Sequence, residues 1–457
     1  MATSKPAKPV SSIRQDLWDV LTMVPKSFAA VARRPKPRDL DEPPTVDDPE
    51  VYKPVLYSIA SVLVFKSLIG GVTKAGIIKG LIKVHGGDTV KAASSLGTIQ
   101  ALGAVLEFAV GPLFGKLSDV FGRKAVMQLN PLVVLVYNAI VLAFPRSLWA
   151  YYARVPVIAI ETQFFASMHA MMSDCMSGSN RAQNGFINMA PAGLAVMVAP
   201  LIATRLSTRS GFVLAALFSA IAAAVCSRLQ ETLPARSRQP LASLDLASCN
   251  PFAFLRLFGS GRRLATLTLC SGVQTYTDPR LMDETAVVVM REVGFCDRQV
   301  QGQLAAMNAS IISGVVVGKF SVKRLGRLGH THSSHFFKML GYAMWSRASS
   351  SSLMRVSQLA LVFGQRQRDG VETLITDIAS KKGIGKGLVE AYKFNFRSIS
   401  NFVAPLLYAR LFAVGKRAGS PGLPFVGAAV VTLLAELITC TLSEQGLLEE
   451  VGEGGKV

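Results

Sequence analysis

Charged residues are few in this chain. Asp, Glu, Lys and Arg make up 17% of its 457 residues, whereas 50% of the residues are hydrophobic. A soluble globular protein usually carries about 25% charged residues. Apolar runs of roughly 20 residues recur along the sequence, and each is long enough to cross a bilayer. This composition argues against a soluble multi-domain enzyme and predicts several membrane-spanning helices.

Metal-ligand and cofactor patterns are missing as well. None of the six cysteines forms a C-x-x-C pair, so the sequence predicts neither a disulfide framework nor a zinc site. His330, His332 and His335 are close in sequence, but we place them in a basic loop without acidic or cysteine partners, and we predict no metal site. Nothing indicates a cofactor. The N-terminal stretch has no early apolar run, which predicts a polar tail and not a secretory signal.

Basic residues are in excess, and the formal net charge is +20. The Lys and Arg side chains are dispersed between apolar runs and accompany no nucleic-acid recognition motif, so nucleic-acid binding is not predicted. Basic loops beside membrane spans instead orient a protein with those loops in the cytoplasm. We therefore expect the lipid bilayer to be the main partner, although the sequence does not indicate which membrane.

The most informative segment is the turn at residues 115–124, which reads Gly-Lys-Leu-Ser-Asp-Val-Phe-Gly-Arg-Lys. It lies between apolar runs at 94–113 and 125–144, where charge beside hydrocarbon is costly. The pattern closely resembles the signature loop between spans two and three of the major facilitator superfamily. This resemblance implies an all-α integral membrane protein with twelve transmembrane helices in two pseudo-symmetric six-helix bundles. It also implies a secondary transporter that moves a small solute by alternating access.

Each part of this turn has an expected role. Gly115 and Gly122 permit a close backbone approach and a tight reversal, while Arg123 and Lys124 anchor the turn on the cytoplasmic side. We expect Asp119 to bind a helix N-terminus or an arginine across the interface between the halves. By resemblance, the loop is a conformational latch that favours the outward-open state. The alternative is a loop that only sets orientation.

Two further segments resemble the same superfamily. Glu231 begins a Glu-Thr-Leu-Pro motif that is similar to one at the end of span six in many members, and Arg154 is placed like the fourth-span arginine of the drug:proton antiporter branch. In motif, the chain is closest to that tetracycline-efflux-like branch, which implies proton coupling. It departs from the branch at Ile158, where a glycine is usual, and at Val120, where a basic residue is usual.

The apolar runs predict a layout of six spans, a linker and six spans. We place the spans near 54–75, 93–114, 125–143, 149–171, 185–205, 210–229, 264–290, 303–322, 334–347, 353–375, 388–412 and 423–442. The predicted domains are an N-terminal tail (1–53), a first half (54–229), a linker (230–263), a second half (264–443) and a C-terminal tail (444–457). An even number of spans places both tails and the linker in the cytoplasm.

The two halves also repeat each other in sequence. Asp174 precedes Ala199-Pro200-Leu201 at nearly the spacing that separates Asp377 from Ala404-Pro405-Leu406. The signature turn recurs near Gly326 without its aspartate. Internal duplication of this kind is how such transporters build one site between two moving bundles.

Three charged residues of the first half lie at membrane depth. Lys66 and Glu161 fall about 18 Å into their predicted spans, near the middle of a hydrocarbon core about 30 Å thick. Glu107 shares a helical face with Gly103 and Gly111, so it should face protein and not lipid. These residues are candidates for the substrate or proton path. A structural pair of Lys66 with Glu161 or Glu107 is the alternative.

Charged residues also interrupt two predicted spans of the second half. They are Asp278, Arg280, Asp283 and Glu284 in the seventh, and Arg366, Arg368, Asp369 and Glu372 in the tenth. Either broken helices form a binding site there, or the span ends are misplaced. Arg366 and Arg368 join the candidate path with Lys66, Glu107, Arg154 and Glu161. The excess of cations slightly favours an anionic solute, unless acids neutralise them pair by pair.

We therefore predict a transporter that is not an enzyme, acts as a monomer on a small-molecule solute and uses protons for coupling. A transporter-like sensor or scaffold that moves no solute is the alternative, since the second turn lacks its aspartate. A membrane enzyme is disfavoured because no nucleophile and base have supporting context.

Overall fold

The computed structural model describes residues 48–443 except 177, 239, 241–249, 348–350 and 385. The predicted C-terminal tail and almost all of the N-terminal tail lie outside the described residues. All regular secondary structure in the described part is helical. The helices of the first half are α1 (Pro49–Val84), α2 (Thr89–Phe121), α3 (Arg123–Ala143), α4 (Leu148–Tyr152), α5 (Val155–Cys175), α6 (Gly178–Ala203) and α7 (Thr208–Arg228).

A connecting region with short helical turns leads to the second half. The turns are Ala235–Ser237 and Pro251–Phe254, and the latter continues into α8 (Leu255–Gly259). The helices that follow are α9 (Arg262–Thr275), α10 (Pro279–Glu292), α11 (Asp297–Ser346), α12 (Ser351–Gly364), α13 (Gln367–Lys381), α14 (Lys386–Arg417) and α15 (Leu423–Cys440). Gly326 has a φ of 74° and kinks α11.

Polar side chains set where several helices begin. The Asp48 carboxylate accepts the Glu50 N–H at the start of α1, and Asp88 accepts the N–H groups of Val90 and Lys91 at the start of α2. These contacts satisfy backbone donors that the helix itself leaves open. The helices therefore begin at residues that the sequence marks as caps.

Seven of the described helices are long and apolar enough to cross a membrane. They are Tyr52–Val84, Thr89–Phe121, Arg123–Ala143, Thr208–Arg228, Asp297–Gly318, Val389–Arg417 and Leu423–Cys440. Each coincides with a span predicted from the sequence. The chain is therefore a multi-pass integral membrane protein, as predicted.

Two helix pairs make the largest contacts between the two halves. α2 of the first half packs against α14 of the second, and α6 packs against α11. At the first contact a Cβ atom on Gly97 would lie 2.9 Å from the Pro405 carbonyl oxygen, so only glycine allows this approach. Gly103 likewise packs against Ile158 within the first half. The glycine-rich face predicted for α2 is therefore a packing face.

The seventh and tenth predicted spans are broken helices. α9 ends at Thr275 and α10 begins at Pro279, while α12 ends at Gly364 and α13 begins at Gln367. The charged residues that interrupt these spans in the sequence lie at or after the breaks. The structure shows broken helices, and the binding site expected from them stays a prediction.

Our placement of the three histidines in a basic loop is wrong. His330, His332 and His335 lie within α11, and His330 and His335 are buried. His332 and His335 both have an acidic partner, Glu436 of α15. The sequence conceals this arrangement because about a hundred residues separate the histidines from their partner.

The end of the connecting region is partly buried. Phe254 and Leu257 are buried, and the Pro251 carbonyl accepts a hydrogen bond from the Asn395 side chain of α14. Phe108 of α2 packs edge-on against Phe252 and Phe254. The end of the connector therefore fills a gap between α2 and α14 because it carries apolar side chains among its basic ones.

Candidate functional site

The signature turn forms a polar cluster, here called the turn cluster, from Asp119, Arg123, Asp174, Glu231 and Thr232. The Arg123 guanidinium lies 2.5 Å from Asp119 and 3.7 Å from Asp174. The Thr232 hydroxyl donates to Asp174 at 2.9 Å. One arginine thus holds the end of α2 against the end of α5.

Glu231 occupies the N-terminus of α3. Its carboxylate accepts the backbone N–H groups of Arg123 at 3.1 Å and Lys124 at 3.2 Å. A carboxylate there satisfies open donors and matches the positive end of the helix. The sequence suggested Asp119 for a role of this type, but within the described residues Asp119 pairs with Arg123 of its own turn.

Gly122 makes this arrangement possible. Its φ of 101° is unfavourable for other residues, and a Cβ there would lie 2.2 Å from a Glu231 carboxylate oxygen. Gly115 differs, because a Cβ there would meet nothing within 4 Å. The close approach expected of both glycines is found at Gly122.

The second half contains a counterpart of this cluster. Arg327 follows the kink at Gly326, as Arg123 follows Gly122, and lies 2.7 Å from Asp377. The sequence repeat aligned Asp377 with Asp174. The two arginine–aspartate pairs therefore occupy equivalent positions in the internal repeat that the sequence suggests.

A second group of charges, here called the outer contact, joins α10 to helices of the first half. Arg154 donates two hydrogen bonds to Glu284, at 2.7 and 3.2 Å, and Gln100 donates to the same carboxylate. The neighbouring Asp283 binds Lys74 at 2.8 Å. Both acids are buried, with exposed side-chain fractions of 7% for Glu284 and 5% for Asp283. Planar, two-pronged pairing with arginine is a strong form of hydrogen bond.

The outer contact continues toward the ends of the helices. Lys79 pairs with Asp297 at 2.9 Å, and Glu292 accepts hydrogen bonds from Thr89 and Lys416. Although partial burial acts to raise the pKa of Glu292, the hydrogen bonds from Lys416 and Thr89 outweigh it and lower that pKa. Glu292 therefore stays ionised and keeps its partners at neutral pH.

In the middle of the first half, Lys66 and Glu161 form the pair that was one predicted alternative. Their charged atoms are 3.5 Å apart, and Lys66 also donates to Asn130 at 3.1 Å. Glu107 is buried on α2 and accepts a hydrogen bond from Ser398 of α14 at 3.0 Å. Two of the candidate acids thus have different partners, one within the first half and one across the halves.

The two helix breaks of the second half lie together. Gln274 and Gln367 each donate a side-chain hydrogen bond to the other's backbone carbonyl, at 3.1 and 3.2 Å. Arg368 pairs with Asp278 at 2.9 Å across the breaks. These side chains satisfy backbone groups that the broken helices leave open at membrane depth.

Every predicted path cation has an acidic partner. Lys66 and Arg154 pair with Glu161 and Glu284, while Arg366 and Arg368 pair with Asp369 and Asp278. The predicted excess of positive charge is thereby balanced, and the argument for an anionic solute loses its basis. The side chain of Arg280 lies outside the described part.

The comparisons with known proteins agree with this geometry. The family model of the Major Facilitator Superfamily matches residues 71–365. The chain belongs to this superfamily. Because that stretch runs from α1 through α12, it takes in the turn cluster, the pairs made by Asp283 and Glu284, and the first helix break.

Similar proteins come from animals and bacteria. The bovine Hippocampus abundant transcript-like protein 1 is 22% identical over 379 residues, which cover 76% of this chain and 74% of that protein. The class B tetracycline resistance protein of Escherichia coli is 31% identical over 133 residues, or 28% of this chain and 33% of that protein. The latter similarity agrees with the branch suggested by the motifs.

Solved structures of the superfamily share the fold. The human organic anion transporter MFSD10 (TETRAN) aligns with a TM-score of 0.59 and 17% identity, over 84% of this chain and 97% of that one. A D-xylose–proton symporter aligns with a TM-score of 0.60 and 15% identity, over 84% and 97%. As a member of this superfamily, the protein is a transporter by fold and not an enzyme.

The sequence analysis did not identify some of the buried charged residues that the structure shows. It treated Asp283 and Glu284 as interruptions of a span and not as partners of Lys74 and Arg154. It also passed over Lys338, which is 2% exposed on α11 and lies within the electrostatic reach of Arg368 and Asp278. A search for opposite charges at equal depth in the two halves would have found the first set.

Proposed function

We propose that this protein is a twelve-span secondary transporter that moves a small organic solute by alternating access, as a monomer and with protons as the coupling ion. The outer contact carries the proposal. Its partners Lys74, Gln100 and Arg154 belong to the first half, whereas Asp283 and Glu284 belong to the second. A contact of this kind must break whenever the two halves separate on that side.

The helices support a count of twelve spans when each break is taken to lie within one span. α9 with α10 and α12 with α13 each make one span, α11 makes two about Gly326, and α4 with α5 makes the fourth. The proposed halves remain 54–229 and 264–443, with the linker at 230–263 between them. With both tails in the cytoplasm, residues 74–89 and 279–297 lie on the outer side, and the outer contact closes that side.

The solute is best described as an amphipathic organic molecule. The paired cations remove the reason to prefer an anion, and tetracycline resistance proteins are among the similar proteins. A screen of a solute panel in reconstituted vesicles, with and without a pH gradient, tests transport and coupling together. Absence of flux for the whole panel would favour a sensor or scaffold.

If transport is coupled to protons, we expect Glu107 or Glu161 to bind and release the proton. Both acids lie within predicted spans, and acids placed there are candidates for a proton path. We expect Glu→Gln at one of these positions to abolish the response to a pH gradient while downhill flux remains. The exposed Glu50, replaced in the same way, serves as the control. If both variants keep full pH-driven transport, the protein is a facilitator or uses another ion.

If the signature turn is a conformational latch, a substitution of Asp119 should change the balance between the inward-open and outward-open states. We expect Asp119→Asn to leave folding and insertion near normal, because Asp174 still pairs with Arg123 and Glu231 still caps α3. Loss of the charge should shift the protein toward the inward-open state and slow transport, because a latch that favours the outward-open state is weakened. Turnover, together with alkylation of cysteines placed at the interface of the halves, measures this. Unchanged values in both assays would refute a latch role.

A further inference from the structure

A cluster of metal-ligating side chains lies apart from the charges already described. His332 and His335 are three residues apart on α11, while Glu436 and Cys440 are four residues apart on α15. Each spacing places its two side chains on one face of a helix. The two faces meet where α11 packs against α15.

The distances between these groups are those of a compact ligand set. The Nδ1 atoms of His332 and His335 each lie 2.7 Å from one Glu436 oxygen. The Cys440 sulfur lies 3.6 Å from the same carboxylate. The potential ligand atoms of His332, Glu436 and Cys440 all lie within 4.8 Å of one another. A tetrahedral zinc ion holds its N, O and S ligands about 3.5 Å apart, so changes of about 1 Å in these separations would seat it.

We propose that His332, Glu436 and Cys440 bind a zinc ion at the end of α15. Imidazole, carboxylate and thiolate are ligands that Zn²⁺ takes together, whereas Mg²⁺ and Ca²⁺ require oxygen ligands. Three protein ligands leave a fourth position for water or a further group. Entry is open because Cys440 is exposed and the His332 side chain is 36% exposed. Binding displaces the proton that His332 shares with Glu436 and the thiol proton of Cys440.

His335 acts as the supporting residue of this site. It is fully buried and holds the second oxygen of Glu436 with Nδ1, while Nε2 contacts the Gln274 side chain at 2.9 Å. Metal ligands in proteins are commonly oriented by such outer hydrogen bonds. Gln274 in turn bridges the two helix breaks through Gln367. The zinc site would therefore link α15 to the broken helices of the second half.

Thiol protection in the purified wild-type chain tests the site. Cys296 is also exposed but lies at the start of α11, far along the chain from Cys440, and serves as an internal control. We expect Zn²⁺ to slow maleimide alkylation of Cys440, read by peptide mass spectrometry, and to leave Cys296 unaffected. Mg²⁺ should have no effect. Equal alkylation of Cys440 with and without Zn²⁺, or equal protection of both cysteines, would overturn the proposal.

Variants separate the ligands from the supporting residue. His332→Gln should abolish the protection, and because His332 is partly exposed its replacement should leave the fold intact. His335→Asn should lower the Zn²⁺ affinity by about 10- to 100-fold without abolishing binding. Protection that persists in His332→Gln at the same Zn²⁺ concentration would show that the assigned ligand is wrong.

Discussion

Glu284→Gln should open the outer side of the protein. The substitution leaves Arg154 in a buried position without its counter-ion, and breaking a buried ion pair costs about 3–5 kcal/mol. The arrangement that is closed on the outer side loses this stabilisation. The fraction of molecules whose halves are separated on that side should therefore rise about hundredfold or more. Alkylation of a cysteine introduced at Ala409, which faces Gly97 where α14 meets α2, should become faster, and net transport should fall.

The Lys79–Asp297 pair provides a matched control for this substitution. Its side chains are 39% and 54% exposed. An exposed ion pair contributes about 1 kcal/mol or less, because water screens it. Asp297→Asn should therefore change alkylation at position 409 far less than Glu284→Gln does. If the two variants behave alike, the Arg154–Glu284 pair does not control the outer side.

Gly122→Ala should severely damage the signature turn. Alanine at a φ of 101° costs about 1–3 kcal/mol. Its Cβ would also collide with the Glu231 carboxylate, which would have to leave the N-terminus of α3. We expect lower yield of folded protein, a reduced melting temperature and strongly reduced transport.

Gly115→Ala is the natural control for this second substitution. Gly115 lies inside α2 and faces open space, so alanine should be tolerated and should stabilise the helix by about 1 kcal/mol. Thermal unfolding in detergent and flux in vesicles distinguish the two variants. Equal damage from both would contradict the role assigned to the Gly122–Glu231 contact.

Much of the fold could be predicted because the length of each apolar run can be read from the local sequence. The spans near 125–143, 210–229 and 423–442 differ from α3, α7 and α15 by only a few residues at each end. The first span was harder to delimit, since α1 continues through Lys74 and Lys79 to Val84. The predicted span stopped near residue 75, just after Lys74, but in the structure each lysine has an acidic partner on α10 or α11.

The site was harder to predict because pairing depends on distances that the sequence does not contain. Lys66 with Glu161 was one of the two pairs considered as an alternative, because both lie at the same depth. Arg154 with Glu284 was not, since the two are 130 positions apart and in different halves. The histidines were misplaced because Lys and Arg surround them and make an amphipathic helix look like a loop.

The central claim is that the halves must separate on the outer side during each transport cycle. The most direct test is a reversible cross-link between α1 and α11, made by Lys79→Cys and Asp297→Cys with a short bifunctional methanethiosulfonate. These side chains pair across the halves and are 39% and 54% exposed, so the reagent can reach them, and Cys296→Ser removes a competing exposed thiol. Flux of a solute found in the panel screen is then measured in vesicles before cross-linking, after cross-linking and after reduction. We expect the cross-link to stop flux and reduction to restore it, whereas undiminished flux through the cross-linked protein would contradict alternating access across this contact.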